Sequence, residues 1–286
     1  MRRFVDLHTH STASDGTLAP ADLIRQADRA ELAVVALTDH DTVAGLDEAR
    51  RAAEPLDALQ FVPGIELSAQ PPSGTLHILG LGIDPSAPAI LSVAAQLRQA
   101  RVRRNPQIVQ RLRWLGVPVT MDDVRRAALD AGSEAEVISR MHVARALVRA
   151  GWVRDTKEAF ARYLGKGCPG YVERERPAPH EAITAIHGAG GLAVLAHPVQ
   201  LGCTERGELE RVVRGLSEAG LDAIEAWHSD HDAEWTRLCV DLADRLGLGV
   251  VGGSDFHGGA KPGVRLGRPR VSVAALSGSL RRRFGV

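Results

Sequence analysis

The sequence has little of what marks secreted or membrane-spanning proteins. Its three cysteines, Cys168, Cys203 and Cys239, form no C-x-x-C pair, which argues against a disulfide framework or a thiolate zinc site and favours a reducing compartment. No run reaches the roughly 20 apolar residues that span a bilayer, and the N-terminal segment has no apolar stretch typical of a signal peptide. We therefore expect a cytoplasmic protein without a membrane partner.

The chain is equally poor in features that bind long nucleic acids. Aromatic residues make up 4 % of it, and 35 lysines and arginines balance 35 aspartates and glutamates. Proteins that track along nucleic acids rely on basic grooves and stacking side chains. Any recognition of phosphate must therefore be local, and nothing in the sequence indicates an obligate protein partner.

What is present is a series of short apolar runs with strand character, several of them preceded by amphipathic, helix-like stretches. The runs occupy residues 4–10, 33–38, 59–67, 76–83, 192–197, 222–227 and 248–254. Nearly continuous apolar strands that alternate with helices indicate a parallel sheet covered on both faces. A length of 286 residues with 44 % apolar content fits a single α/β barrel.

Residues 86–178 interrupt this pattern with arginine-rich, helix-like sequence and no convincing strand. We interpret them as a helical insertion that forms a substrate-binding lid, with residues 165–179 as the return linker. Residues 1–85 and 179–286 would then form the barrel domain. Pro106 lies inside the helical pattern of residues 90–115, so a helix there should be kinked or broken near Asn105.

Six of the eleven histidines and three acidic residues fall at the ends of the predicted strands, on them or just beyond them. His8 and His10 are two residues apart, which puts both imidazoles on the same side of the first strand. Because the carboxyl ends of barrel strands meet at one rim, the whole set can converge on one pocket. The set is His8, His10, Asp15, His40, Glu66, His77, His197, Asp255 and His257.

Taken singly, these residues have ordinary explanations: Asp15 as a turn residue, Glu66 in an ion pair, His197 bonded to a loop carbonyl. Burying all nine at one end of an apolar barrel would be costly without a counter-charge. Imidazoles and carboxylates without thiolates suit manganese, iron or zinc better than calcium or magnesium. Nine groups exceed what one ion needs, so we expect two or three divalent metal ions, with manganese as the first choice.

Five ordered motifs resemble those of the PHP (polymerase and histidinol phosphatase) family of metal-dependent phosphoesterases. They are H-T-H-S-T-A-S-D-G at 8–16, T-D-H-D at 38–41, G-I-E at 64–66, L-A-H-P at 195–198 and G-S-D-F-H at 253–257. The resemblance implies a distorted seven-stranded (β/α) barrel. Within the insertion, residues 138–145 and 163–172 are similar to the bacterial branch that acts on nucleoside 3′,5′-bisphosphates and short 5′-phosphorylated RNA ends.

The resemblance also implies how the nine residues divide among three ions, with Glu66 as a bridge between the first two. The implied groups are His8, His10, Glu66 and Asp255; Glu66, His77 and His197; and Asp15, His40 and His257. Histidinol phosphatases usually carry histidine at the position of Asp15, so the resemblance argues against histidinol phosphate as the substrate.

The predicted reaction is hydrolysis of the 3′-phosphate of a nucleoside 3′,5′-bisphosphate such as phosphoadenosine phosphate. The metal ions would lower the pKa of a water toward neutrality and clamp the phosphoryl oxygens. The lack of a G-x-S-x-G elbow and of a Walker-type loop agrees with chemistry that needs no side-chain nucleophile. We assign catalytic roles to Asp15, His40, Glu66, Asp255 and His257.

Substrate recognition is expected from basic residues of the insertion and from the rim after the sixth strand. Arginine suits bidentate phosphate contacts, although arginines on a helix face are often simply solvated. The first three candidates recur at i, i+3 and i+6, which places them along one face of a helix. The substrate-binding candidates are Arg98, Arg101, Arg104, Arg140, His142, Arg145 and His231.

Three other functions remain open at this point. A 5′-3′ exoribonuclease acting on short 5′-phosphorylated RNA ends would use the same metals on a phosphodiester. A monoesterase like histidinol phosphatase would need no second phosphate site. A metal-binding PHP module without catalytic activity is the third alternative, although such a module would be expected to lose some of the nine ligands.

Overall fold

The structure is a computed structural model, and it describes residues 2–130 and 138–286. In this part of the chain, eight strands form one sheet. They are β1 Phe4–Asp6, β2 Leu32–Leu37, β3 Gln60–Ala69, β4 Leu76–Leu81, β5 Leu192–Leu195, β6 Ala223–Trp227, β7 Gly249–Gly252 and β8 Val271–Ser272. Their order across the sheet is β7, β6, β5, β4, β3, β2, β1, β8. The first seven in chain order coincide with the predicted apolar runs.

Backbone hydrogen bonds connect the residues just beyond β1 to the end of β7 and the residues that follow it. The amide nitrogen of Leu7 donates to the carbonyl of Gly252 at 3.2 Å, and that of Asp255 donates to the carbonyl of His8 at 2.9 Å. The sheet therefore curls into a nearly closed barrel. The predicted distorted α/β barrel is confirmed.

The expectation of an all-parallel sheet is wrong at two strands. β4 runs antiparallel to both β3 and β5, and β8 runs antiparallel to β1. Residues 70–75 are too few for the crossover that parallel strands require, so β3 and β4 must form a hairpin. β8 has two residues, which is too short to give any strand pattern in the sequence.

Ten α-helices lie in the described part of the chain. They are α1 Pro20–Arg29, α2 Leu46–Ala53, α3 Pro88–Trp114, α4 Met121–Leu129, α5 Arg140–Arg149, α6 Thr156–Ala159, α7 Pro179–Gly188, α8 Arg206–Glu218, α9 Ala233–Leu246 and α10 Gly278–Arg283. None of these helices is both long enough and apolar enough to cross a membrane.

Helix α3 continues through Pro106, so of the two outcomes expected near Asn105, a kink or a break, the break is wrong. Proline cannot donate to the carbonyl of Val102 four residues earlier. Val102 is 59 % exposed, and water can therefore take the place of the missing donor.

The two faces of the sheet pack against different apolar clusters. Along β2, Val35 and Leu37 face the surrounding helices, whereas Val34 and Ala36 face the barrel interior. Helix α10 adds Leu280 to the interior cluster, and a side chain at Gly249, where β7 begins, would meet Leu280. Because α10 closes the end of the barrel where the strands begin, the opposite rim is left for a site.

Helices α3 to α6 lie between β4 and β5 and share an apolar cluster distinct from the two barrel clusters. Ile108 and Leu112 of α3 pack there with Val124 of α4 and with Val143 and Leu147 of α5. Residues 131–137 of the predicted insertion lie outside the described residues. The division into a barrel domain and an inserted lid stays a prediction.

Candidate metal centre

The nine predicted site residues converge at the rim where most strands have their carboxyl ends, and Glu66 lies at the centre of the group. Its Oε2 lies 3.5 Å from Nε2 of His8, 3.3 Å from Nε2 of His10 and 2.7 Å from Nδ1 of His40. Its Oε1 lies 2.7 Å from Nδ1 of His77 and 2.9 Å from Nε2 of His197.

The antiparallel direction of β4 explains how His77 reaches this rim. His77 is the second residue of β4. In a parallel strand it would lie at the opposite end of the barrel, but the β3–β4 hairpin places it beside Ser68 of β3. The sequence therefore identified His77 as a site residue correctly, although the direction expected for β4 was wrong.

Asp15 and Asp255 complete the cluster on the side away from β4. Asp255 Oδ1 lies 3.3 Å from Nε2 of His10, and Asp15 Oδ1 lies 3.3 Å from Nε2 of His257 and 4.0 Å from Nε2 of His40. The rings of His10 and His257 stack with their centroids 4.0 Å apart.

Several buried donor and acceptor atoms at the cluster form no hydrogen bond within the described part of the chain. They are His8 Nε2, both ring nitrogens of His10, Asp15 Oδ1, His40 Nδ1, Glu66 Oε2 and His197 Nδ1. Buried polar atoms without partners are costly, and a bound cation would satisfy them. Potential ligand atoms lie within 4.8 Å of one another in overlapping groups such as His8, His10 and Glu66, or His10, Asp15, His40 and His257. The residues present therefore fit divalent metal ions.

The electrostatics of the cluster favour protonation states that bind metal. Burial would raise the pKa of Glu66, but His40, His77 and His8 hold that pKa well below its usual range. Burial lowers the pKa of His77 to about 4. Burial lowers the pKa of His257 as well, and with the charge of His10 brings it to about 4. Ionised carboxylates and neutral imidazoles are the forms in which these side chains coordinate cations.

His8 and His10 are exceptions, because carboxylates surround both and raise their pKa values. Burial opposes the charge of His10, but the carboxylates of Asp255 and Glu66, each 3.3 Å from its Nε2, raise the pKa of His10 to about 9. A cation bound between these three residues must displace that proton, so metal binding at the cluster should release protons.

The backbone at the rim adopts conformations that side chains rarely tolerate. His197 has φ of 28° and Asp255 has φ of 54°. A Cβ atom at Gly253 would overlap the backbone and Cβ of His8, so only glycine permits β7 to approach His8 this closely. Strain of this kind concentrates at functional sites.

Two charged residues at the cluster were missed from the sequence. Glu225 of β6 places Oε1 3.0 Å from Nδ1 of His8. Lys261 places Nζ 2.5 Å from Oδ2 of Asp255, the oxygen that also lies 3.4 Å from Nε2 of His228. Glu225 did carry a signal, because it is a charge inside the buried apolar strand A-I-E-A-W. Lys261 lies in a loop whose sequence gives none.

A cavity of about 200 Å³ is lined by candidate metal-binding side chains, which we call its first wall, and by arginines, which form its second wall. Asp15, His40 and His77 belong to the first wall. The second wall, which we call the basic wall, consists of Arg101, Arg104, Arg140, Arg174 and Arg176. Arg174 and Arg176 come from the return linker and were not among the sequence candidates.

Positive charge exceeds negative charge along the basic wall. Asp41 Oδ2 pairs with Nη2 of Arg101 at 2.5 Å and with Nη1 of Arg174 at 3.1 Å. Among the described residues, buried Arg104 bonds the side-chain oxygen of Asn105 and no carboxylate. Burial, and then the neighbouring guanidinium groups of Arg101 and Arg174, lower the pKa of Arg104 well below its usual range. An anion in the cavity would relieve this repulsion.

Arg140 is held against the wall by aromatic rings and one carbonyl. Its guanidinium carbon lies 5.7 Å from the ring centre of Phe160 and 5.3 Å from that of Tyr171, and Nη1 donates to the carbonyl of Leu164. This arrangement leaves Arg140 positioned without a carboxylate partner among the described residues.

The other substrate-binding candidates lie outside the lining of the cavity. Arg98 donates to the carbonyl of Asp41, and Arg145 donates to the carbonyl of Asp15. His142 accepts from the amide nitrogen of Ser139, capping α5. His231 bonds the carbonyl of Ala226 and stacks on Trp235.

The ion pairs of Asp41 give a testable stability effect. Asp41→Asn should lower the free energy of unfolding by about 3–5 kcal/mol, because it leaves the buried charges of Arg101 and Arg174 without a partner. Urea unfolding followed by circular dichroism in the presence of a chelator measures the change. Glu175→Gln is the control, since its pair with Arg103 is exposed, and that variant should lose less than about 1 kcal/mol. Equal small losses in both variants would contradict a structural role for Asp41.

Comparisons with known proteins agree with this geometry. Residues 6–115 match the family model of the PHP domain. The chain is 38 % identical over 265 residues to a 3′,5′-nucleoside bisphosphate phosphatase from Chromobacterium violaceum. The aligned region covers 92 % of this chain and 90 % of the relative. It is 34 % identical over 274 residues to the 5′-3′ exoribonuclease Rnm of Escherichia coli, with 96 % and 91 % covered. A solved structure from Bifidobacterium adolescentis, described as a metal-dependent phosphoesterase, has a TM-score of 0.86 at 36 % identity and covers 98 % of this chain and 96 % of that one. The chain therefore belongs to the PHP family of metal-dependent phosphoesterases.

Proposed function

We propose that this protein removes the 3′-phosphate from nucleoside 3′,5′-bisphosphates. The observation that carries the proposal is the basic wall, which faces the candidate metal centre across one small cavity. A substrate with two phosphates uses both walls, whereas a simple monoester leaves the arginines without an anion. The 38 % identity to a 3′,5′-nucleoside bisphosphate phosphatase supports the same substrate class.

The proposal includes two or three divalent metal ions, with manganese first and iron or zinc as alternatives. When bound, such ions activate water at neutral pH and stabilise charge on phosphoryl oxygens. The residues that would hold them are His8, His10, Asp15, His40, Glu66, His77, His197, Asp255 and His257. The short distances from Glu66 to five of the histidines support its role as a bridge.

The chain's own residues would orient the substrate between the two walls. Arg104 and Arg140 would bind the 5′-phosphate, because neither has a carboxylate partner among the described residues. Asp41 would keep Arg101 and Arg174 in fixed positions beside them. Fixing the distant phosphate in this way would hold the 3′-phosphate at the cluster in a reactive orientation.

A 5′-3′ exoribonuclease is the second candidate, and the 34 % identity to Rnm favours it. The same pose would serve both reactions, since the basic wall would bind the 5′-phosphate of an RNA end and the cluster would receive the first phosphodiester. A cavity of about 200 Å³ is too small to hold several nucleotides, and the balanced charge of the chain gives no extended basic track. For these reasons we place the bisphosphate first.

A screen of the purified, manganese-loaded protein tests the proposal. The substrates are adenosine 3′,5′-bisphosphate, 5′-phosphorylated oligonucleotides of two to five residues, and histidinol phosphate. The proposal expects the highest kcat/KM for the bisphosphate, with AMP and phosphate as products. A higher kcat/KM for the oligonucleotides would make the exoribonuclease the main activity, and preference for histidinol phosphate would refute both readings. No turnover at all would indicate a non-catalytic module.

The proposal also covers the setting of the reaction. The partner is a small nucleotide or a short RNA end, and the compartment is the cytoplasm. Cys168, Cys203 and Cys239 are all free thiols, which agrees with a reducing environment.

Arg140→Ala should change selectivity more than chemistry. An aryl phosphate can occupy the metal centre alone, whereas the second phosphate of a bisphosphate needs its own charge-assisted partner. The loss of one such contact corresponds to a fall in kcat/KM of roughly 10- to 100-fold for adenosine 3′,5′-bisphosphate, with little change for p-nitrophenyl phosphate. Steady-state kinetics on both substrates measure the difference.

Arg162→Ala is the matched control for this experiment. Arg162 also lies over an aromatic ring, that of Tyr163, but it is about half exposed and does not line the cavity. It should leave both substrates unchanged. Equal losses on the two substrates in Arg140→Ala would place Arg140 in a structural role. No loss on either substrate would show that Arg140 does not contact the substrate.

A further inference from the structure

Glu225 is a buried carboxylate directly behind the candidate metal centre. It is fully buried in the middle of β6, with Ile224 and Ala226 buried on either side of it in the sequence. Its oxygens lie 3.0 and 3.2 Å from Nδ1 of His8, and Oε2 accepts the amide hydrogen of His197 at 2.7 Å. One carboxylate thus contacts two candidate ligands that come from different strands.

The contact with His8 determines which ring nitrogen faces the cluster. With the proton on Nδ1 donated to Glu225, the lone pair on Nε2 is free to bind a metal. Nε2 of His8 lies 3.5 Å from Glu66 and 3.6 Å from Asp255, the two carboxylates of its group. A carboxylate behind the ring also makes the imidazole a stronger electron donor.

The contact with His197 acts on the backbone instead of the ring. His197 has φ of 28°, a conformation that costs free energy and persists only where its surroundings enforce it. The hydrogen bond from its amide nitrogen to Glu225 is one such constraint. It fixes the residue so that Nε2 of His197 lies 2.9 Å from Glu66.

We propose that Glu225 is a positioning residue that sets two groups of metal ligands at once, the His8 group and the His197 group. The inference rests on the proposed metal centre. The third group, Asp15, His40 and His257, has no contact with Glu225 among the described residues, and Nδ1 of His257 is held by the carbonyl of Asp255. Loss of Glu225 should therefore weaken metal binding unevenly.

Asp222, the residue before β6, provides a control for Glu225. It lies just before β6, at the opposite end from the cluster, and it has the same two kinds of partner. Its Oδ2 lies 2.8 Å from Nε2 of His187 and accepts the amide hydrogen of Ala193 at 2.7 Å. Asp222→Asn perturbs the same two kinds of contact at a partly exposed position, without touching the candidate ligands.

The test compares the full-length wild-type chain with Glu225→Gln and Asp222→Asn. Manganese binding is measured by chelator competition, with bound metal counted by mass spectrometry. We expect Glu225→Gln to lower the affinity for some of the bound metal ions by roughly 10- to 100-fold and to leave the affinity for the others unchanged. Turnover of p-nitrophenyl phosphate by this variant should recover substantially in excess manganese, because the ligands themselves remain. Asp222→Asn should match the wild type in both measurements.

Three results separate the possible failures. Wild-type affinity for all metal in Glu225→Gln overturns this inference while leaving the proposed function intact, whereas a wild-type protein that binds no divalent metal overturns the proposed function itself. An equal loss in Asp222→Asn also overturns the inference, since the effect would then be general destabilisation. If Glu225→Gln does not fold, Glu225→Asp decides. That variant keeps the charge on a side chain one methylene shorter, so wild-type metal affinity would show that charge alone matters and would overturn the positioning role.

Discussion

Removal of divalent metal with EDTA should lower the hydrolysis of p-nitrophenyl phosphate by at least about a thousandfold, and manganese should restore it. The reason lies in the charges of the cluster. Without cations, Asp15, Glu66 and Asp255 present carboxylates to an incoming phosphate, and among the described lysines and arginines only Lys261 pairs with one of them. The negative charges of the carboxylates and of the phosphate repel one another strongly in a buried site.

The measurement combines activity with metal content. The protein as purified should contain two to three equivalents of manganese, iron or zinc by mass spectrometry, and the chelated protein should contain none. Circular dichroism before and after chelation shows whether the fold survives, so that loss of activity is not confused with unfolding. Full activity in a chelated sample without bound metal would refute the metal-dependent chemistry proposed for this chain.

The fold could be predicted well from the sequence because buried strands leave a strong signal. Seven apolar runs matched seven strands, and their alternation with helices indicated the barrel. Strand direction was less accessible, since an apolar run has the same appearance in either orientation. The short connection at residues 70–75 was the one local clue that β4 had to reverse. A kink or a break was expected near Asn105, and the helix did not break because its solvent-exposed surface tolerates the hydrogen bond lost at Pro106.

The candidate site, too, could be predicted only in part from the sequence. The nine candidate ligands stood out because histidines and carboxylates recur at strand ends. Glu225, Lys261, Arg174 and Arg176 did not, because their importance depends on which atoms they approach in the folded chain. Arg98 and Arg101 lie on the same helix face as predicted, yet Arg101 is neutralised by Asp41, whereas Arg98 contacts a backbone carbonyl. Spacing along a helix cannot distinguish a paired arginine from an unpaired one.

His10→Ala and Asp255→Ala should each lower turnover of p-nitrophenyl phosphate by about a thousandfold, the second large effect we expect. His10 and Asp255 are both buried, and both lie 3.3 Å from a partner within the group that includes Glu66. Each substitution removes a donor from a shared set, so the remaining residues would bind metal in the wrong geometry or not at all. A loss of about 4 kcal/mol in transition-state stabilisation corresponds to the expected factor.

The two variants should differ in how much metal they retain, and that difference tests the assignment of the two residues as metal ligands. Asp255→Ala also frees Lys261, whose Nζ lies 2.5 Å from Asp255 Oδ2, so the cluster gains net positive charge and should lose metal affinity most. His10→Ala keeps every carboxylate and should retain part of the metal while losing turnover. Metal content and kcat are therefore measured together, with His187→Ala as a control because that histidine pairs with Asp222 away from the cluster. Losses below about tenfold with unchanged metal content in either variant would remove that residue from the metal centre.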